Sequence, residues 1–124
     1  MLTKQWFYDN MPEKVETIED YAKIEKFLLS WQEMSGGDQE TYDFIVSLKK
    51  KELKELSVKV WNLANSFLNY CLKKYNMFHD FLQANQGKLP NETMHTLIKY
   101  GDTDIERSKA IAEALKGIAT MLEI

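Results

Sequence analysis

Residues 39–84 contain neither proline nor glycine, and the apolar side chains in this stretch recur at intervals of three and four. That interval places side chains on one face of an α-helix, whereas a strand needs apolar and polar residues in alternation. The pattern predicts one very long helix, or two helices with a break near the lysines at 49–51 or near Asn76, because globular helices average about three to four turns. Either alternative makes this stretch the main element of the fold.

One further helix is expected before this stretch. Thr17 with Asp20 forms a variant of the capping box, and apolar residues follow at helical spacing as far as Trp31. The sequence Ser-Gly-Gly-Asp at 35–38 ends the helix, and Asp38 is the expected cap of the next one. Pro12 disfavours helix at the residue before it, so residues 1–16 are predicted to form an N-terminal arm.

Two helices are expected after it. Residues 86–90 form a loop, after which Asn91 is expected to cap a short helix that ends at Gly101. Thr103 with Glu106 makes a second capping box, which predicts the start of a last helix there.

The expected fold is therefore all-α: a compact, mostly antiparallel bundle of four or five helices around a long central helix at 53–82. A chain of 124 residues, 44% of them apolar, suits one domain spanning residues 1–124. A single cysteine excludes an internal disulfide, and apolar runs of three residues are far short of the roughly 20 that cross a bilayer. We expect a cytoplasmic protein.

The predicted central helix has more apolar surface than one neighbouring helix can cover. Beside the arc that should face the core, a second stripe contains Trp61, Leu68, Leu72 and Tyr75. Either the first and last helices both cover this helix, or the second stripe contacts another protein chain, which could be a second copy forming a homodimer. The remaining arc is polar and uncharged, with Asn62, Asn65, Ser66 and Asn69, and Asn76 one heptad further on.

The aromatic residues Trp6, Phe7 and Tyr8 are adjacent, and three adjacent side chains cannot all face one core. They either anchor an interface with a partner or belong to an arm that folds back over the ends of the bundle.

Residues for catalysis or metal binding are scarce. His79, His95 and Cys71 form none of the spacings that bind zinc or di-iron centres, so no metal, cofactor or catalytic site is predicted. Cys71 and His79 are eight residues apart, about 12 Å along a helix, which is too far for a nucleophile and its base. Gly36-Gly37 lacks the flanking residues of a phosphate-binding loop. We therefore expect a protein that is not an enzyme.

The expected function is protein binding, as an adaptor, regulatory subunit or inhibitor of the kind that phages and other mobile elements encode. The partner-binding residues would be Trp6, Phe7, Tyr8, Trp61, Leu68 and Tyr75. The alternative is a helical subunit that contacts nucleic-acid backbone within a larger complex. Its lysines would be Lys49, Lys50, Lys51, Lys54, Lys73 and Lys74. The net charge of −3 and the single arginine argue against nucleic-acid binding unless those lysines gather on one side.

Overall fold

The fold is all-α, as the sequence predicts. A computed structural model describes residues 2–123, apart from the side chain of Asp38, and no strand occurs among them. The five helices are α1 (Lys4–Asn10), α2 (Ile18–Met34), α3 (Asp38–Ser47), α4 (Lys50–Ala84) and α5 (Asn91–Leu122). The two longest, α4 and α5, pack against each other along most of their length.

The helices α4 and α5 are antiparallel. Ser57 Oγ donates to the carbonyl oxygen of Ala119 over 3.0 Å, and further along α4 the Nζ of Lys74 lies 3.1 Å from Asp104 Oδ2. Residues later in α4 therefore contact residues earlier in α5. The pair forms a long helical hairpin with its turn at residues 85–90.

The long apolar stretch is divided at the lysine run, which confirms one of the two predicted breaks. α3 ends at Ser47, Leu48 is extended with φ −105° and ψ 149°, and α4 begins at Lys50. Glu52 Oε1 accepts from the backbone N–H of Lys49 over 3.1 Å, which satisfies one free donor at the new helix start. From Lys50 the helix continues through Asn76 without interruption.

The start of α2 also follows the prediction. Asp20 N–H donates to Thr17 Oγ1, and Asp20 Oδ2 accepts from the N–H groups of Glu16 and Thr17, at 2.9 to 3.2 Å. The N–H of Glu16 has the largest effect in lowering the pKa of the Asp20 carboxyl. The predicted cap at Asp38 concerns a side chain outside the described part of the chain.

The prediction of two separate helices after residue 90 was wrong. Asn91–Leu122 is one helix, and neither Asn91 nor the Thr103 pair acts as a cap. Thr103 Oγ1 instead donates to the carbonyl oxygen of Lys99 within the helix, at 3.0 Å. Gly101 lies in the middle of this helix, and the Phe78 ring of α4 packs against it. A Cβ atom at position 101 would lie only 2.6 Å from Phe78 Cε1.

The N-terminal segment, predicted as an arm, folds back over the bundle and contains the helix α1. Phe7 is fully buried, with its ring 5.5 Å from that of Phe44 and 6.2 Å from that of Phe27. Leu2 and Val15, on either side of α1, are also buried. The segment therefore contributes Leu2, Phe7 and Val15 to the core.

The core occupies only one part of the hairpin. The last buried residue of α4 is Phe67 and the first of α5 is Ile111, and no residue between 68 and 110 is buried. We call this region (68–110) the distal hairpin. Its helical arms, 68–84 and 91–110, extend for about 25 Å and about 30 Å, at 1.5 Å per residue.

Candidate protein-binding face

The N-terminal segment contacts α4 along one line of residues. Lys4 Nζ lies 3.4 Å from Glu52 Oε2, the Nζ of Lys59 lies 5.4 Å from the centre of the Tyr8 ring, and Val15 N–H donates to Ser66 Oγ at 2.8 Å. Positions 52, 59 and 66 are seven residues apart, so they lie almost above one another on the helix. This side of α4 is covered.

A second line of residues lies on the opposite side of α4. Trp61, Leu68 and Tyr75 are also seven residues apart, and they are offset by two residues, or about 200°, from the first line. None of the polar and aromatic contacts described between residues 2–47 and α4 involves them. Leu68 is 36% exposed, Tyr75 44%, and the neighbouring Leu72 58%. We call the surface formed by Trp61, Leu68, Leu72 and Tyr75 the open face.

The helix α5 completes the open face and forms a groove with α4. The groove has a volume of about 550 Å³ and runs between the two helices of the distal hairpin. Its walls are mainly apolar and aromatic: Leu68, Leu72, Tyr75, Phe78, Tyr100 and Ile105. The absence of a side chain at Gly101 lets the two helices approach each other where Phe78 crosses.

The groove has a small polar part that includes Lys74, Asp104 and Lys109. Lys74 forms an ion pair with Asp104, and its Nζ also lies 5.2 Å from the centre of the Tyr21 ring. Partial burial alone would lower the pKa of Lys74, but the hydrogen bond and charge of Asp104 outweigh it and raise that pKa. Lys74 therefore stays positively charged beside its partner, and the pair adds no net charge.

The open face on α4 is free of charge over a long distance. Between Ser57 and His79, the only acidic or basic side chains are Lys59, Lys73 and Lys74. All three lie more than about 100° around the helix from Leu68, since each residue advances by about 100°. The exposed amides predicted from the sequence border the apolar stripe on one side: Asn62, Asn65, Asn69 and Asn76. An apolar centre with a polar, uncharged border is the usual composition of a protein interface.

The six predicted partner-binding residues separate into two groups. Trp61, Leu68 and Tyr75 lie on the open face. Trp61 is half-buried against the core, and its Nε1 donates to Glu123 Oε1 over 2.6 Å. The N-terminal aromatics lie on the covered side, away from these three.

The three N-terminal aromatics are packed to different degrees, and a binding role stays a prediction for Trp6 and Tyr8. Phe7 has no exposed surface and must be removed from the predicted binding residues, because α2 and α3 enclose it. Trp6 is half-buried, with its ring 5.4 Å from that of Phe27 and 6.2 Å from that of Trp31. Tyr8 is 40% exposed and has Lys4 and Lys59 over its ring.

Sequence analysis missed the contribution of α5 to the groove. Tyr100 and Ile105 lie on either side of Gly101, which was interpreted as a helix end, so they were assigned to two separate helices instead of one continuous face. The sequence carried little signal for this face: the half-buried positions 94, 97, 101, 104 and 108 alternate by three and four, but only Met94 and Leu97 among them are large apolar residues.

The lysines of the nucleic-acid alternative do not gather on one surface. Lys49, Lys50, Lys51 and Lys54 lie at the beginning of α4, whereas Lys73 is 19 residues beyond Lys54, about 29 Å along the axis. Lys74 is held by Asp104.

The side chains with chemical reactivity are dispersed. His79 stacks on Tyr75, with ring centroids 6.1 Å apart, and His95 lies on the other helix of the distal hairpin. Burial has the largest effect on Cys71 and raises the pKa of its thiol, which disfavours the reactive thiolate. Among the described residues, no group of three His, Cys, Asp or Glu side chains is placed to hold a metal ion.

Comparisons with known proteins give no further information on this surface. No family model matches the chain, and no match was found among curated proteins or among solved structures. No helix in the described part of the chain has both the length and the apolarity needed to cross a membrane.

Proposed function

We propose that this chain is a non-enzymatic protein-binding module whose open face binds a helix of another polypeptide. The observation that carries the proposal is the exposure of Leu68, Leu72 and Tyr75 on a side of α4 that the N-terminal helices leave uncovered. Contiguous apolar surface bordered by polar residues is typical of interaction sites.

The shape of the open face favours a helical ligand. The groove between α4 and α5 runs along the helix axes, and helices pack into such grooves through residues spaced by three, four and seven. The occupant is either a different protein, for which this chain would act as adaptor, regulatory subunit or inhibitor, or a second copy of this chain. The cytoplasmic location stays a prediction of the sequence.

Nucleic-acid binding is the weaker alternative, and no feature of the structure favours it. Phosphate-backbone binding needs several cations on one surface. The open face has none on α4, and the two lysine groups lie at different heights on that helix.

Site-specific photo-crosslinking in living cells tests the proposal. A photoreactive amino acid replaces Leu72, which is 58% exposed on the open face, and in a control protein it replaces Leu29, which is 63% exposed on α2. We expect a discrete crosslinked protein species from position 72 and none from position 29. Equal or absent crosslinking at the two positions would contradict the proposal.

A further inference from the structure

We propose that the occupant of the open face is a second copy of this chain, and that the two α4 helices pair antiparallel about a two-fold axis passing at Leu68. The inference rests on the proposed function, since it specifies which helix occupies the same face.

The first argument is the symmetry of the stripe. Trp61 and Tyr75 each lie seven residues from Leu68, one on either side. When two such helices pair antiparallel with Leu68 opposite Leu68, the Trp61 of each copy lies opposite the Tyr75 of the other. A two-fold interface requires this reciprocity, because residue i contacts j and j contacts i. Two indole–phenol contacts and one central leucine pair result.

The second argument is charge. The chain has a formal net charge of −3, which opposes self-association in general. The helical arms of the distal hairpin (68–84 and 91–110) contain five basic and five acidic residues, so their net charge is zero. Leu68, Leu72 and Tyr75 lie on this neutral part, so the central contacts between the copies force no like charges together. The carboxylate of Glu123, which accepts from Trp61, lies at the edge of the stripe.

The third argument is area. The part of α4 from Trp61 to His79, which contains the open face, is about 27 Å long, and two packed helices present a face about 20 Å wide. The footprint is roughly 550 Å² on each copy and about 1,100 Å² in total, which is above the roughly 1,000 Å² that a specific interface needs. A single short peptide helix would leave much of that face uncovered.

The experiment measures the mass of the purified full-length chain in solution by size-exclusion chromatography with light scattering. We expect about twice the monomer mass of 14.6 kDa at micromolar concentration. Leu68→Lys places two like charges on the two-fold axis and should weaken self-association by about 100-fold or more. Leu29→Lys, an exposed leucine of α2, is the matched control and should remain dimeric.

A mixing experiment tests the position of the axis. Leu68→Lys and Leu68→Glu should each be monomeric alone, whereas an equimolar mixture should form a mixed dimer. This rescue is expected only if residue 68 lies opposite itself, because a charge elsewhere in the stripe would meet a neutral residue. Circular dichroism verifies that each variant is folded, which the exposure of Leu68 leads us to expect.

The outcomes separate the two proposals. A monomeric wild-type chain, a dimer that Leu68→Lys leaves intact, or a mixture that stays monomeric would overturn the dimer inference. If the chain is monomeric but position 72 crosslinks to a different protein in cells, the proposed function stands and only the inference fails. If position 72 crosslinks to nothing and the chain is monomeric, both fail.

Discussion

The side chain of Phe78 in α4 fills the space above Gly101 in α5, so that a Cβ atom at position 101 would lie 2.6 Å from Phe78 Cε1. This separation is far below van der Waals contact. The glycine is required by packing between two helices, since its own backbone is ordinary α-helix and no positive φ is found there.

Gly101→Ala should therefore destabilise the protein, although alanine has the higher helix propensity. The propensity gain is about 1 kcal/mol, whereas overpacking typically costs about 1–3 kcal/mol. We expect a net loss of about 1 kcal/mol in the free energy of unfolding, measured by urea denaturation.

Gly117→Ala is the matched control in the same helix. Nothing lies within 4 Å of a Cβ at position 117, and the residue is exposed. Only the propensity gain applies, so the variant should be more stable by about 1 kcal/mol. Equal changes in the free energy of unfolding at positions 101 and 117 would show that the close contact with Phe78 does not affect stability.

Phe7→Ala should be strongly destabilising. The ring is fully enclosed by α2 and α3, and truncation of a buried phenylalanine costs about 3–5 kcal/mol. Tyr8→Ala, the adjacent aromatic at 40% exposure, should cost less than about 1 kcal/mol. Thermal unfolding of both variants measures the difference, and a mild effect of Phe7→Ala would mean that α1 is not part of the folding core.

Ser66→Ala should loosen the N-terminal segment. The Ser66 hydroxyl accepts from the N–H of Val15, a buried residue, and an unsatisfied buried donor costs about 1–3 kcal/mol. After a helix-propensity gain of about 0.5 kcal/mol, we expect a net loss of about 1 kcal/mol. Hydrogen exchange should also accelerate at residues 13–17.

Asn65→Ala is the control for Ser66→Ala. It changes an exposed neighbour on the same helix and should be neutral or slightly stabilising, with exchange at residues 13–17 unchanged. Faster exchange in both variants would mean that the effect comes from α4 itself.

The capping box of α2 gives the protein a stability increment that depends on pH. The pKa of Asp20 is below its usual value of 3.8, chiefly because the Glu16 N–H donates to the ionised carboxylate. A group whose pKa is lowered on folding stabilises the native state above its unfolded pKa, and that increment is lost as the pH falls through the folded value. Asp20→Asn should therefore lower the midpoint of thermal unfolding at neutral pH.

The gap between wild type and Asp20→Asn should stay constant from about pH 7 to about pH 5 and narrow below about pH 4, as the pH falls through the lowered pKa of Asp20. Glu19→Gln, in the same helical turn, is the matched control. A gap that stays constant over the whole pH range would contradict the role assigned to the carboxylate.

Local chemistry in the sequence was sufficient for part of the fold. The Thr17–Asp20 box and the break at the lysine run follow from hydrogen bonds and helical spacing within a few residues, and both are confirmed. The helix through Gly101 was missed because a mid-helix glycine and a C-terminal stop look the same until the opposite helix is known. Phe78 is 23 positions away, so the information was not local.

The candidate site was predicted only in part, for a similar reason. A heptad interval showed that Trp61, Leu68 and Tyr75 share a side of α4, but only tertiary contacts show that the N-terminal segment lies on the other side. The same contacts enclose Phe7, which no pattern in three adjacent aromatics could distinguish from its neighbours Trp6 and Tyr8.

The two lines of residues on α4, which are offset by two positions, have different structural roles. Positions 52, 59 and 66 contact the N-terminal segment, whereas positions 61, 68 and 75 do not take part in those contacts. Substitutions at the exposed Leu68 and Tyr75 should therefore cost the monomer little stability, whereas Trp61 packs against the core and donates to Glu123. The surface of the distal hairpin can thus change while the architecture stays the same.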